Sequence, residues 1–261
     1  MSDPMQFADV SIMRAGGRDL RVAHWRLNQP SDRFPVLFFN GIGASLEIVA
    51  PLAEALSNRA FITFDMPGIG ESPEPIVPYT PQTMAWTAAR LLDRLGISQV
   101  DIMGFSWGGV IAQQLALQYG ARVRRVILAG TTAGLLAVPG SPLALARLGD
   151  APRLAGRGEG GRIAARIVPP TIRGYAYQLM AMAGWTSAAA LPFLKKPVLI
   201  MAGERDDVVP LANAHILKGL IPEAKMEIFA DGGHLFLATH REQAQTAIRT
   251  FLDAPDMEGE V

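Results

Sequence analysis

Apolar residues in this chain gather in short unbroken runs, separated by longer stretches with helical character. The runs are Val36–Phe39, Ala60–Phe64, Val100–Met103, Val126–Ala129, Val198–Met201 and Met226–Phe229. Helical patterns fill Glu47–Leu56, Pro81–Leu95, Gly108–Tyr119, Leu211–Leu220 and Ala238–Leu252. A strand with no polar alternation is buried on both faces, and strands alternating with helices predict a mainly parallel sheet covered on both sides. Ahead of it, residues 6–14 and 18–27 flank Ala15-Gly16-Gly17 and predict an N-terminal antiparallel hairpin. The alternation breaks once. From Thr131 to Leu191 no short buried strand occurs, and the stretch is too long for a plain connection. We read 131–191 as an inserted helical cap, with 1–130 and 192–261 forming one α/β core.

Composition narrows the function classes. Lys plus Arg equals Asp plus Glu at 24 each, which leaves no electrostatic footprint for nucleic acid. No basic stretch followed by an apolar core marks the N-terminus, and no apolar run is long enough to span a bilayer. A cytoplasmic protein without a membrane span is expected. The chain has no cysteine, which excludes disulfides, thiolate metal sites and a cysteine nucleophile. No histidine–carboxylate grouping has metal-ligand spacing, so neither a metal nor a cofactor is expected. Gly156–Gly161 fits G-x-G-x-x-G, but no strand precedes it, so it reads as a turn of the cap.

The sharpest chemical signal is "VDIMGFSWGGVIAQQLA", residues 100–116, with Gly104-Phe105-Ser106-Trp107-Gly108 between a buried strand and a helix. A serine on such a turn stands above the sheet edge, and the following helix points its first amides at developing negative charge. Ser106 is therefore the candidate nucleophile. Its base should follow a strand, as His234 does in "FADGGHLFL"; His24, His215 and His240 read as packed or surface residues. The acid should lie between them in chain order. "VLIMAGERDDVVP" offers Asp206 first, with Asp207 as a helix cap before Pro210 and Glu204 as an outsider.

"PVLFFNGIGASLE", residues 35–47, ends a buried strand in Asn-Gly, a hairpin signal with no second strand to pair. We read it instead as the loop that faces Ser106. Acyl transfer needs two backbone amides aimed at the oxyanion. Ile42 and Trp107 are the candidate donors, with Gly41 and Gly43 turning the loop and the Asn40 side chain holding its shape. The candidate apolar pocket comprises Leu135, Leu136, Met180, Met182 and Trp185 from the cap, with Leu235 and Phe236 beside His234.

These stretches together resemble the α/β-hydrolase superfamily, through "DMPGIGES", "GFSWGG", "GERDDVVP" and "GGHLF". Within it the chain is similar to intracellular medium-chain-length poly(3-hydroxyalkanoate) depolymerases, through "FNGIGASLE", "SWGGVIAQQ", "YQLMAMAGWTS" and "DGGHLFL". The resemblance covers about Phe7 to Leu252. It implies an ester hydrolase with Ser106, Asp206 and His234 as its triad, acting on a hydrophobic polyester at storage granules. In one departure, Thr171-Ile172-Arg173-Gly174-Tyr175 runs directly on where that family carries a longer cap. Rival readings keep the fold: a hydrolase of small esters or lactones, a 3-hydroxyacyl transferase, and a non-catalytic granule-binding protein.

Overall fold

The computed structural model describes residues 4–147 and 168–255. Gly156–Gly161 and the middle of the cap interval lie outside these residues. Among the described residues one eight-stranded sheet runs in the order β1-β2-β4-β3-β5-β6-β7-β8. Its strands are β1 (Ala8–Ala15), β2 (Arg18–Trp25), β3 (Val36–Phe39), β4 (Phe61–Phe64), β5 (Val100–Phe105), β6 (Val123–Ala129), β7 (Val198–Gly203) and β8 (Lys225–Phe229). β1 and β2 form the expected hairpin, closed by Gly16 and Gly17 at φ 52° and 70°. With both φ values positive the two-residue turn is of type I′, which needs positive φ at each central residue and so explains the glycine pair. β2 meets β4 antiparallel, and every pairing from β4 to β8 is parallel. Asn40-Gly41 turns no hairpin, because β3 pairs in parallel with β4 on one side and β5 on the other.

Strand side chains alternate between two cores. Leu37, Ile102, Leu128 and Ile200 face α2 (Pro81–Arg94), α3 (Trp107–Gln118) and α6 (Ala212–Leu220). Phe38, Met103, Ile127 and Met201 face α1 (Ala50–Ala55) and α8 (Arg241–Leu252). Both faces are thus covered, which is why the strands read as unbroken apolar runs.

Among the boundaries that differ from expectation, two have a clear physical reason. β6 starts at Val123, three residues early, because Arg124 and Arg125 interrupt the apolar run while belonging to the strand. Their charge is met at the sheet's amino edge: Arg124 pairs with Asp101, and Arg125 donates to the Phe251, Ala254 and Pro255 carbonyls. The last helical stretch divides at His240 into α7 (Phe236–Thr239) and α8.

Between β6 and β7 the chain leaves the sheet, forming α4 (Pro142–Arg147) and α5 (Ile172–Met182) among the described residues. The two ends of this excursion meet at a bridge between Gly134 and Thr186. Two consecutive glutamines on α3 fasten them. Gln113 Nε2 donates to the Thr132 carbonyl at 2.9 Å while its Oε1 accepts the Ser187 hydroxyl at 2.6 Å. Gln114 Oε1 accepts the Trp185 indole at 2.9 Å. The helix that begins beside Ser106 therefore carries the footing of the excursion. No described helix is long and apolar enough to cross a membrane.

Candidate active site

Ser106 occupies the turn between β5 and α3 at φ 53°, ψ −121°, a region that non-glycine residues rarely enter. Such a conformation costs about 1–3 kcal/mol and persists only where the surroundings impose it. Here they do. The Ser106 amide donates to the Ala129 carbonyl at 2.8 Å, and its own carbonyl accepts the Gly109 amide at 2.9 Å. α3 also lies so close to β3 that a Cβ on Gly108 would stand 2.0 Å from the Phe39 carbonyl oxygen. Only glycine fits there, so the small residue after Trp107 is a packing requirement of the turn.

His234 Nε2 lies 3.0 Å from Ser106 Oγ, and its Nδ1 lies 2.8 Å from Asp206 Oδ2. A carboxylate only accepts, so Nδ1 carries the ring proton and Nε2 is left to accept from the serine hydroxyl. Both His234 and Asp206 are buried. The other carboxylate oxygen of Asp206 accepts the Val208 and Val209 amides at 2.9 and 2.8 Å, which locks the side chain over its own loop. The loops after β7 and β8 are also tied together: the Arg205 amide donates to the Gly232 carbonyl at 2.8 Å, and the Glu204 amide to that of Phe229 at 3.0 Å. Phe105 packs beside the imidazole, with ring centroids 5.0 Å apart.

The three neighbouring candidates lie elsewhere. Glu204 is exposed and accepts the Asp231 amide at 3.1 Å. Asp207 is exposed and caps no helix, contrary to expectation; α6 begins after Leu211 with no side-chain cap. His240, read as a surface group, is half-buried and bonds through Nε2 to the Ala230 carbonyl at 3.0 Å, bracing the strand end that leads to His234.

The loop after β3 abuts the serine. A Cβ on Gly41 would lie 3.5 Å from the Ser106 Cβ. Asn40 is buried, and its Nδ2 donates to the Ser45 carbonyl at 3.1 Å, spanning the loop that holds Gly41, Ile42 and Gly43. Trp107 is the first residue of α3, where backbone amides have no intrahelical partner. The Ile42 loop and the Trp107 amide thus flank Ser106 from two elements.

A family model for the alpha/beta hydrolase fold matches residues 35–166 and 135–241. The chain belongs to the α/β-hydrolase fold family. It is 40% identical over 238 residues to the poly(3-hydroxyalkanoate) depolymerase of Ectopseudomonas oleovorans, an alignment covering 84% of each chain. It is 28% identical to 2-hydroxymuconate semialdehyde hydrolase of Pseudomonas putida, across 98% of this chain and 99% of that one. The crystal structure of a hydrolase from Pseudomonas aeruginosa PA01 superimposes with a TM-score of 0.79 at 23% identity, over 94% and 99% of the two chains. That last likeness speaks to the fold alone.

Within this hydrolase fold, the residues read as pocket lining separate into two groups. Leu135, Leu136, Met180 and Met182 are exposed, at 69%, 54%, 55% and 38%. Leu235 is half-buried beside the histidine. Trp185 and Phe236 are instead core residues. Trp185 is buried and tied to Gln114; Phe236 is wholly enclosed and stacks on Phe229 at 4.7 Å. Two residues next to the site drew no role from the sequence. Phe105 is one of the two variable positions of its motif, and Gln178, although inside "YQLMAMAGWTS", is a lone polar helix residue with no chemical signal of its own.

Proposed function

We propose that this protein is a serine ester hydrolase whose substrate is medium-chain-length poly(3-hydroxyalkanoate), cleaved in the cytoplasm to 3-hydroxy acids or oligomers. The observation that carries the chemistry is the hydrogen-bonded chain from Ser106 Oγ through His234 to Asp206. It meets the demands of acyl transfer in the order of use. His234 Nε2 takes the hydroxyl proton as Ser106 attacks the ester carbonyl, and the Ile42 and Trp107 amides receive the oxyanion. His234 then returns the proton to the departing 3-hydroxyl oxygen, and later draws one from the water that releases the acyl group. Asp206 holds the imidazole in the Nδ1–H tautomer and offsets the charge of the imidazolium.

The polyester half of the reading rests on the 40% identity to the Ectopseudomonas oleovorans depolymerase. The exposed Leu135, Leu136, Met180 and Met182 on the excursion, which acts as a cap, agree with contact to alkyl side chains. A second reading, hydrolysis of a small soluble substrate, is favoured by the nearly full-length similarity to 2-hydroxymuconate semialdehyde hydrolase.

Purified protein offered isolated polyester granules and a soluble medium-chain nitrophenyl ester separates the two. We expect product from both, and a loss of at least about 10⁴-fold in kcat on the ester in Ser106→Ala. Ester hydrolysis with untouched granules selects the small-substrate reading. Release of product only onto an acyl carrier selects a transferase. Full activity in Ser106→Ala ends the serine mechanism.

A further inference from the structure

Gln178 is wholly buried on α5, yet it reaches both elements assigned to the oxyanion. Its side-chain Oε1 accepts the Gly43 amide at 2.8 Å, one residue beyond Ile42. Its main-chain carbonyl accepts the indole Nε1 of Trp107 at 2.9 Å. The Gly43 donor fixes the orientation of the carboxamide, since an N–H must meet oxygen. Among the described residues its Nε2 group has no hydrogen-bond partner.

The rest of α5 reinforces the same contact. Tyr175 lies three residues earlier on the same helix face, and a Cβ on Gly43 would stand 3.3 Å from its ring. Gly43 has φ 68°, so the loop turns sharply where Gln178 and Tyr175 hold it. At the start of α5, Thr171 donates both its amide and its hydroxyl to the Gly68 carbonyl, at 3.0 and 3.2 Å. The loop itself has little else to stiffen it. Within it lie the Asn40 to Ser45 bond and a long Ala44 to Gly41 amide bond of 3.3 Å. Two glycines flank Ile42, so the direction of the Ile42 amide depends on what pins its neighbours.

We propose that Gln178 is a positioning residue for acyl transfer, holding the Ile42 and Trp107 amides in mutual register so that α5 must be seated for the oxyanion site to exist. The proposal rests on the serine-hydrolase reading above. It makes the excursion between β6 and β7 part of the rate-determining geometry as well as a cover over the site.

Gln178→Met tests this, since it keeps side-chain length and the main-chain carbonyl but removes the acceptor for Gly43. On a soluble nitrophenyl ester kcat should fall about tenfold, less than the 10²–10³ seen when an oxyanion donor is deleted outright, with KM unchanged within about twofold. Affinity for a trifluoromethyl ketone, which forms a tetrahedral adduct on serine, should fall by the same factor as kcat/KM. A lowered Tm with unchanged kcat per folded molecule and unchanged ketone affinity would overturn the positioning role. Should that variant fail to fold, Gln178→Ser, too short to reach Gly43, carries the same readouts. Ser106→Ala measured alongside separates the two levels. Hydrolysis retained in Ser106→Ala, or a wild type inert to both ester and ketone, overturns the serine reading and this proposal together. An inactive Ser106→Ala beside an unimpaired Gln178→Met overturns this proposal alone.

Discussion

Asp206 and Asp101 are both buried carboxylates on this sheet, one beyond the carboxyl end of β7 and the other at the amino end of β5, and their partners differ in kind. Asp101 sits among guanidinium groups. Arg124 grips both of its oxygens, at 2.9 and 2.6 Å, and Arg59 approaches to 3.6 Å. Burial still pushes its carboxyl above the ordinary range, against the pull of Arg124 and Arg59. Asp206 has neutral partners instead: two backbone amides and one imidazole. A guanidinium keeps its proton at any pH a protein meets, so the Asp101 pair is a lock. An imidazole takes up and releases a proton, so under the proposed mechanism the Asp206 charge offsets the imidazolium that forms in each turnover. The amino edge fastens the chain; the carboxyl edge leaves a charge to be used.

The largest break of this contrast is Asp206→Asn. The amide presents its own N–H to Nδ1, favours the wrong imidazole tautomer, and should lower kcat on a soluble ester about 10⁴-fold. Its Oδ1 can still accept the Val208 and Val209 amides, so Tm should move by less than about 3 °C, on a scale of about 2–4 °C per kcal/mol. A loss below tenfold would remove Asp206 from its assigned role. Arg124→Met should behave in the opposite way. It strands Asp101 without its bidentate partner, and breaking a buried pair costs about 3–5 kcal/mol, or roughly 10 °C in Tm. The kcat of the folded fraction should be unchanged. Comparable losses of rate in both variants would erase the distinction between the two edges.

How far each edge can be read from sequence follows from the range of its constraints. The Ser106 turn is legible because its requirements are local: a strand, a helix, and glycine where α3 meets the Phe39 carbonyl. The parallel strands are legible because burial on both faces leaves unbroken apolar runs. The amino edge is obscured by its own solution, since Arg124 and Arg125 look like the end of a strand that continues through them. Gln178 is hidden for another reason. Its contact to Gly43 spans 135 residues, and a single glutamine on a helix reads as solvent-facing. Gln113 and Gln114 belong to the "AQQ" part of a discriminating stretch, and their purpose emerges only from Ser187 and Trp185 across the excursion. Aromatic residues near a site tempt assignment to a pocket; Trp185 and Phe236 show that a place in the cap or beside His234 does not bring exposure.

A third buried carboxylate lies between these two types and shows itself in the pH dependence of stability. Asp65, after β4, accepts the Leu46 amide at 2.7 Å and faces Arg21 at 3.3 Å, but Glu47 shares the same guanidinium at 2.7 Å. Burial, and then repulsion by Glu47, push its carboxyl from 3.8 up to about 7, despite Arg21 and the Leu46 and Glu71 amides. Unlike Asp101, it has a cation that is already divided. Because the folded value lies above the unfolded one, the folded state holds this proton more tightly between about pH 4 and about pH 7. The stability it contributes is complete below about pH 4 and drains away as pH rises through about 7. Asp65→Asn cannot ionise, so that drain should be absent, even though the amide forfeits one contact to Arg21 and lowers Tm overall. The gap between wild type and variant should therefore narrow as pH rises from about 5 to about 8 in calorimetric scans. Parallel curves would mean that Arg21 holds Asp65 ionised throughout, which would place this carboxylate with Asp101 among the locks.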